Sequence, residues 1–423
     1  MLLKKSSKSC IIKLNEYNVW ECDVLNALIS RRPVFDVGGN VFAHELRFRT
    51  AELDGEKLVV CGSEPTNKLF DVDVRRLVGK TRAIVEFNEE MLKARLPLAF
   101  SPDILIVGVR KDLLESREIM EICSGLKQRG FMIALKNFEY SRAFDEAFRF
   151  ADIVEIGFEK SVKAIEETAY VCRYSNKLML AADIETRNKY NYAKQLGCTF
   201  MEGLFFAKPE IDLENGINPL PASISGAISI MSKPDVEIND IVNVLSVDSA
   251  VCQRLLRLIN SVYFGFTTKI SSINQAIVAL GIEYIREWIY LMAVQKITGN
   301  ESPESTKASL LMAKFCRRIA LLIPQGKKNP ESFYLMGLLS MVVFCGEKAL
   351  CEALEEFPIT SDIKKGLLRR GGAYSDVFEM ALGYIMGDWD NYEEIAAAYE
   401  IDANTILTDY VECVEEVEKA DLN

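Results

Sequence analysis

Between residues 31 and 210, polar side chains repeatedly stand just after short apolar runs, where a buried strand ends and chemistry can begin. In order they are Glu45 with Arg47 and Arg49, then Asn88, Gly108, Lys136–Asn137, Glu155 and Gly157, Ala182–Asp183 with Glu185, and Glu202. The chain holds a single histidine, His44. That removes histidine zinc clusters and the Ser-His and Cys-His nucleophile pairs, so any hydrolytic chemistry would run on carboxylates. The stretch Met132–Phe138, MIALKNF, is the odd member: its strand ends in Lys-Asn where carboxylates or a glycine loop are expected. Side chains of this kind can also do no more than cap strands in solvent.

The elements that carry these residues alternate. Apolar runs at 41–48, 82–88, 104–109, 131–137, 152–158, 178–183 and 200–207 read as strands. Amphipathic stretches such as 111–129 and 159–176 read as helices between them. Seven visible strands in β-α units, with room for an eighth, imply an α/β barrel of the TIM-like β/α type. His44 alternates with Glu45, so it should face the surrounding helices and not the barrel mouth. After Pro209, Gly216, Pro219 and Pro221 the texture becomes helical. Asp248 reads as an N-cap for a stripe of Val251, Leu255, Leu258, Ile259 and Val262. Further helices are expected near 272–297, 305–323, 331–356, 361–369 and 374–386, followed by acidic C-terminal helices. The expected plan is an N-terminal extension (1–24), a barrel (25–212), a linker (213–222) and an all-α bundle (223–423).

Composition bounds the function. The chain has 423 residues, 49% apolar, with a net charge of −11. An acidic surface repels phosphate backbones and anionic lipids, which argues against nucleic acid and membrane as partners. Eleven cysteines without CxxC pairs suit a reducing cytosol. The first ten residues lack a signal-peptide core, and the longest apolar run, 333–346, is too short to span a bilayer. A cytoplasmic location is expected, with that run a buried core helix. The acidic last helices exclude a phosphate-contacting helix-turn-helix and point to core packing or a partner.

AHELRFR, VEFNEEML and ADIETRNKYNYAKQLGCTFMEGLFFAKP, taken with their order and spacing, resemble the EAL family of cyclic di-GMP phosphodiesterases over about residues 25–212. RLLRLINSVYFGFTTKISSINQAIVALGIEYIREW resembles the HDOD family, a helical relative of the HD phosphohydrolases. FPITSDIKKGLLRRGGAYSDVFEMALGYIMGDWD is similar to the C-terminal part of bacterial EAL–HDOD hybrid proteins. The resemblance implies an EAL-type barrel followed by an HDOD helical bundle.

It also implies site positions. Glu45, Arg49, Asn88 and Glu185 keep the family's residue types, Arg49 at a phosphate-contacting position and Asn88 at a metal-binding one. Arg32, Gly108, Lys136, Asn137, Glu155, Gly157, Ala182 and Glu202 depart from them, and Ser340–Met341 stand where HD enzymes carry His-Asp. Counted this way, one amide and two carboxylates remain, so no metal, no cofactor and no enzymatic activity are expected. Acid and lysine are exchanged between the fourth and fifth family strands: Lys136 either pairs with Glu155 or another acid, neutralising the pocket internally, or extends into solvent. The expectation is a catalytically inactive bacterial signalling adaptor that acts on protein partners through the HDOD domain, in cyclic di-GMP-associated behaviours such as motility and surface attachment. Tyr263, Phe264 and Phe266 suit an interface or ordinary core. The alternative is a non-hydrolysing cyclic di-GMP receptor using the remnant pocket, against which stand the missing Gln, Lys and metal ligands.

Overall fold

The computed structural model describes residues 26–54, 57–62, 73–184, 186–203, 220–231, 233, 235–260, 268–299, 302–343, 347–357 and 359–419. The strands are β1 (Asn26–Asp36), β2 (Val41–Asp54), β3 (Lys57–Gly62), β4 (Arg82–Glu86), β5 (Leu105–Arg110), β6 (Met132–Lys136), β7 (Ile153–Ile156), β8 (Leu178–Ala181) and β9 (Phe200–Glu202). β2 and β4 to β9 run parallel in sequence order. β1 lies antiparallel to both β9 and β2 and closes eight strands into a barrel, while β3 pairs with the far end of β2 outside it.

The closing strand is the one the apolar runs do not show. Its centre, Ser30-Arg31-Arg32-Pro33, offers no apolar stretch, and proline within a run argues against a strand. The barrel's inside is a ring of one residue per strand: Val34, Ala43, Ile84, Ile106, Ala134, Ile153, Leu180 and Phe200, all buried. These residues are short and branched on most strands, so the interior is filled and is not a pore.

Around it lie α1 (Val74–Val78), α2 (Glu89–Lys93), α3 (Arg117–Gln128), α4 (Asp145–Phe150), α5 (Val162–Tyr174) and α6 (Arg187–Leu196). The stretch expected as one helix from 111 begins as a 3-10 turn, Lys111–Glu115, before α3. The strand expected over 200–207 ends at Glu202, and Leu204–Ala207 lie outside the described residues. Residues 213–219 of the expected linker and Val262 also lie outside them, and its last residue, Ala222, opens the first helix of the second half.

The second half is helical, as its sequence indicates: α7 (Ala222–Met231), α8 (Ile238–Leu245), α9 (Ser249–Ile259), α10 (Ile273–Leu280), α11 (Ile282–Thr298), α12 (Pro303–Leu322), α13 (Pro330–Val343), α14 (Glu347–Glu356), α15 (Ser361–Leu367), α16 (Ala373–Met386), α17 (Trp389–Ala398) and α18 (Ala403–Lys419). Asp248 caps α9 by accepting from the Ala250 and Val251 amides. The stretch 272–297 is two helices and not one, because Gly281 adopts φ 84 between α10 and α11. Likewise 331–356 divides into α13 and α14.

The apolar run expected as a core helix is α13, buried from Phe333 to Val342. Gly337 lets α13 and α12 approach: a Cβ there would lie 2.5 Å from the Met312 carbonyl oxygen. No helix among the described residues is long and apolar enough to cross a membrane.

Barrel and bundle meet through β1. The Tyr384 and Tyr410 hydroxyls accept from the Ile29 and Arg31 amides at 3.4 and 3.3 Å. The Arg31 guanidinium donates to the Leu77 carbonyl at 2.6 Å and pairs with Glu418 at 2.7 Å. Behind them Tyr384 contacts the rings of Phe315, Trp389, Tyr392 and Tyr410.

Candidate functional site

Each barrel strand alternates inward and outward side chains, so the residues two positions beyond the apolar ring face the same interior. On that rule the next layer, toward the strand tips, is Arg32, Glu45, Glu86, Gly108, Lys136, Glu155, Ala182 and Glu202. Eight strands thus bring four glutamates, a lysine and an arginine to one mouth. Arg47 and Arg49 follow Glu45 on the same side of β2.

Two ion clusters organise the layer. Lys136 is buried, and its ammonium lies 2.9 Å from Glu45 and also donates to Glu155. The backbone amide of Asn137 donates to the other Glu155 oxygen at 3.0 Å. Asn137 itself takes φ 45, a left-handed conformation that asparagine tolerates, and this turn brings its amide onto the carboxylate. Opposite, Arg32 contacts Glu202 at 3.3 Å and Asp183 at 3.2 Å, while Arg47 stands 3.6 and 3.7 Å from the same two groups. The Asp183 amide donates to Glu202 at 3.1 Å.

Protonation follows from these contacts. Burial alone would lower the Lys136 pKa, but Glu155 and Glu45 outweigh it and raise it, so the lysine stays charged. Glu155 is pushed up to about 7, first by burial and then by Glu45, with Lys136 opposing. Glu45 is lowered overall: burial raises it, and Lys136, Arg47 and Arg32 more than compensate. Glu202 is raised by burial and by Glu45 against its two arginines. One ammonium between two carboxylates therefore favours one fully ionised glutamate and one poised near neutrality.

The remaining expected positions fall differently. Arg49 is held by the bundle: its guanidinium reaches Asp390 at 2.5 Å and Glu393 at 3.1 and 3.2 Å. Asn88 caps α2, its side chain accepting from the Met91 amide at 2.9 Å. Gly108 is packed so closely that a Cβ would lie 2.9 Å from the Val85 carbonyl oxygen. The Cβ position of Gly157 is filled by the Glu159 carboxylate. Ala182 is buried and adds no polar group. Glu185, Tyr263, Phe264 and Phe266 lie outside the described residues.

His44 faces outward and is buried, hydrogen-bonded through Nδ1 to Thr81 at 2.9 Å. Burial, with Arg31 and Lys307 nearby, holds its pKa well below the usual value. It also lines a cavity of about 90 Å³ between barrel and bundle, with Arg31, Lys307, Ser340 and Met341 on its walls. The HD-position pair thus faces the barrel.

Sequence reading missed two features. Glu86 belongs to the polar layer, and counting by two from Ile84 would have found it. The Arg32–Glu202 bridge joins two departures from the EAL pattern that the sequence leaves 170 residues apart. Among the described residues no three His, Cys, Asp or Glu side chains are grouped to hold a metal ion. With Lys136 between Glu45 and Glu155, these residues do not fit the pair of divalent ions that an EAL-type site implies.

Comparison with known proteins places these features. Residues 217–360 match the HDOD domain family. The chain is similar to the protein YuxH of Bacillus subtilis, 26% identical over 92% of this chain and 98% of that one. It is also similar to the cyclic di-GMP phosphodiesterase CdgJ of Vibrio cholerae, 23% identical over 96% of each chain. Of solved structures, the FimX EAL domain of Pseudomonas aeruginosa bound to c-di-GMP covers 43% of this chain, with 89% of that domain aligned, at 14% identity and a TM-score of 0.34.

The architecture is a closed eight-stranded β/α barrel followed by an all-helical region that contains the HDOD match, the order that the motifs imply. The expectation that the chain is not an enzyme is corrected. A relative similar along nearly its whole length is named a phosphodiesterase.

Proposed function

We propose that this chain is a cyclic di-GMP-linked regulatory protein whose barrel mouth receives the nucleotide and whose helical domain passes the change to a protein partner. One observation carries the reading. The mouth's arginines are shared between the two halves: Arg32 holds Glu202 while donating to the Met386 carbonyl at 2.9 Å, and Arg49 is held by Asp390 and Glu393. A ligand that changes the charge at the mouth therefore acts directly on the helices. Guanidinium groups suit phosphate oxygens, which they bind in forked pairs. The name of the Vibrio relative supplies the ligand class. On the HDOD side, Ser340–Met341 face an interdomain cavity, which suits the transmission of a signal between domains.

Calorimetric titration of the full chain with cyclic di-GMP tests the reading, with hydrolysis to linear product followed in parallel in Mg²⁺ and in Mn²⁺. Saturable heat that Arg47→Ala weakens is the expected result. No heat and no turnover under either metal would remove the nucleotide from the proposal. Affinity capture from the native cell with wild-type and Arg32→Ala chains then tests whether the mouth governs the partner.

A further inference from the structure

The corner between α16 and α17, Met386–Asp390, sits on the rim of the barrel mouth. Gly387 takes φ 71, which turns the chain sharply, and a Cβ added there would lie 3.7 Å from Arg47 Cδ and 3.8 Å from Ser30 Oγ. On one side of the corner the Met386 carbonyl accepts from Arg32. On the other, Asp390 and Glu393 take the Arg49 guanidinium, Glu393 through both carboxylate oxygens. The segment lies beyond residue 360, where the HDOD match ends. It thus lies outside the matched residues and against the barrel mouth.

We propose that the Asp390–Glu393 carboxylates are an internal competitor for Arg49, a latch that an incoming phosphodiester displaces, freeing α17 from the barrel rim. The inference rests on the reading that the mouth receives a cyclic dinucleotide, and it adds how that site is regulated. A carboxylate pair on a forked guanidinium imitates the geometry a phosphate would use. The latch is weak enough to be exchanged. Asp390 is 85% exposed and Glu393 29%, and ion pairs in water are individually weak and screened by salt. Arg32, by contrast, is held at the rim by the buried Glu202 and the Met386 carbonyl, so the corner has a fixed side and a releasable one.

The test compares cyclic di-GMP affinity of the full-length chain with that of the Asp390→Asn/Glu393→Gln variant. Asp390 is exposed and Glu393 half-buried, and circular dichroism and a thermal unfolding midpoint matching wild type establish that the variant is folded. A charge-matched control, Glu394→Gln/Glu400→Gln, alters two exposed acids that do not touch Arg49. The expected result is about tenfold tighter binding by the latch variant than by wild type or control. Faster amide hydrogen exchange over Trp389–Ala398 when ligand binds wild type is expected alongside. Equal affinities in all three would overturn the latch while leaving the mouth as the binding site. No binding by any of them would overturn the latch and the proposed nucleotide site together.

Discussion

At the residue scale, Lys136 decides what the mouth can be. Removing one partner from a buried ion cluster leaves uncompensated charge, which typically costs about 3–5 kcal/mol. Lys136→Met should therefore lose stability of that order in urea unfolding at pH 8, where Glu45 and Glu155 would face each other without the ammonium between them. Glu155→Gln should lose far less, because Lys136 keeps Glu45. The two variants unfolding alike would show that the lysine only fills space.

Glu155 also gives a pH signature. Its pKa rises on folding from 4.5 to about 7, so between those values the folded chain holds a proton that the unfolded chain lacks. Stability should fall as pH rises through that window, and Glu155→Gln should flatten the fall. Glu202, shifted in the same direction, leaves some slope in the variant. Unfolding midpoints from pH 5 to 8 that run parallel in the two proteins would contradict this assignment.

At the element scale, the α12–α13 contact depends on a missing side chain. Gly337→Ala would push a Cβ to 2.5 Å from the Met312 carbonyl oxygen and 2.7 Å from Ala313 Cα, both backbone atoms that cannot rotate away. Overpacking of this kind costs about 1–3 kcal/mol, despite alanine's better helix propensity. Denaturant titration should show that loss, and a more stable variant would refute the close approach. β1 illustrates the opposite case of an element invisible in its own residues. Its Arg31, Arg32 and Pro33 form no apolar run, and pairing with Leu46, Glu45 and His44 of β2 makes them a strand.

At the scale of the whole molecule, the two halves share polar contacts that neither can satisfy alone. Arg31 spans α1 and α18, and Tyr384 and Tyr410 cap the β1 amides. Scanning calorimetry of the wild-type chain should therefore show one unfolding transition. Arg31→Ala combined with Tyr384→Phe should broaden or split it. Two separated transitions in the wild type would mean that the interface does not couple the domains.

The order of the parallel strands, the change from α/β to all-α, the outward His44 and most of the strand-tip positions were legible in the sequence, while β1 and Glu86 were not. What was legible rests on periodicity and spacing along the chain, which are local, or, for Arg32, on the resemblance to the EAL family. One pairing was legible: Lys136 meets Glu155, and also Glu45, as the exchange of acid and lysine between neighbouring strand tips suggested. The more distant partners were not, for Arg32 meets Glu202 across 170 residues and Arg49 meets Glu393 across 344. Such meetings depend on strand register, on closure of the barrel by β1 and on the docking of α17. Each of these is fixed by packing between elements, so most of the strand-tip residues followed from the sequence while the mouth's full membership and its charge balance were decided only by the tertiary fold.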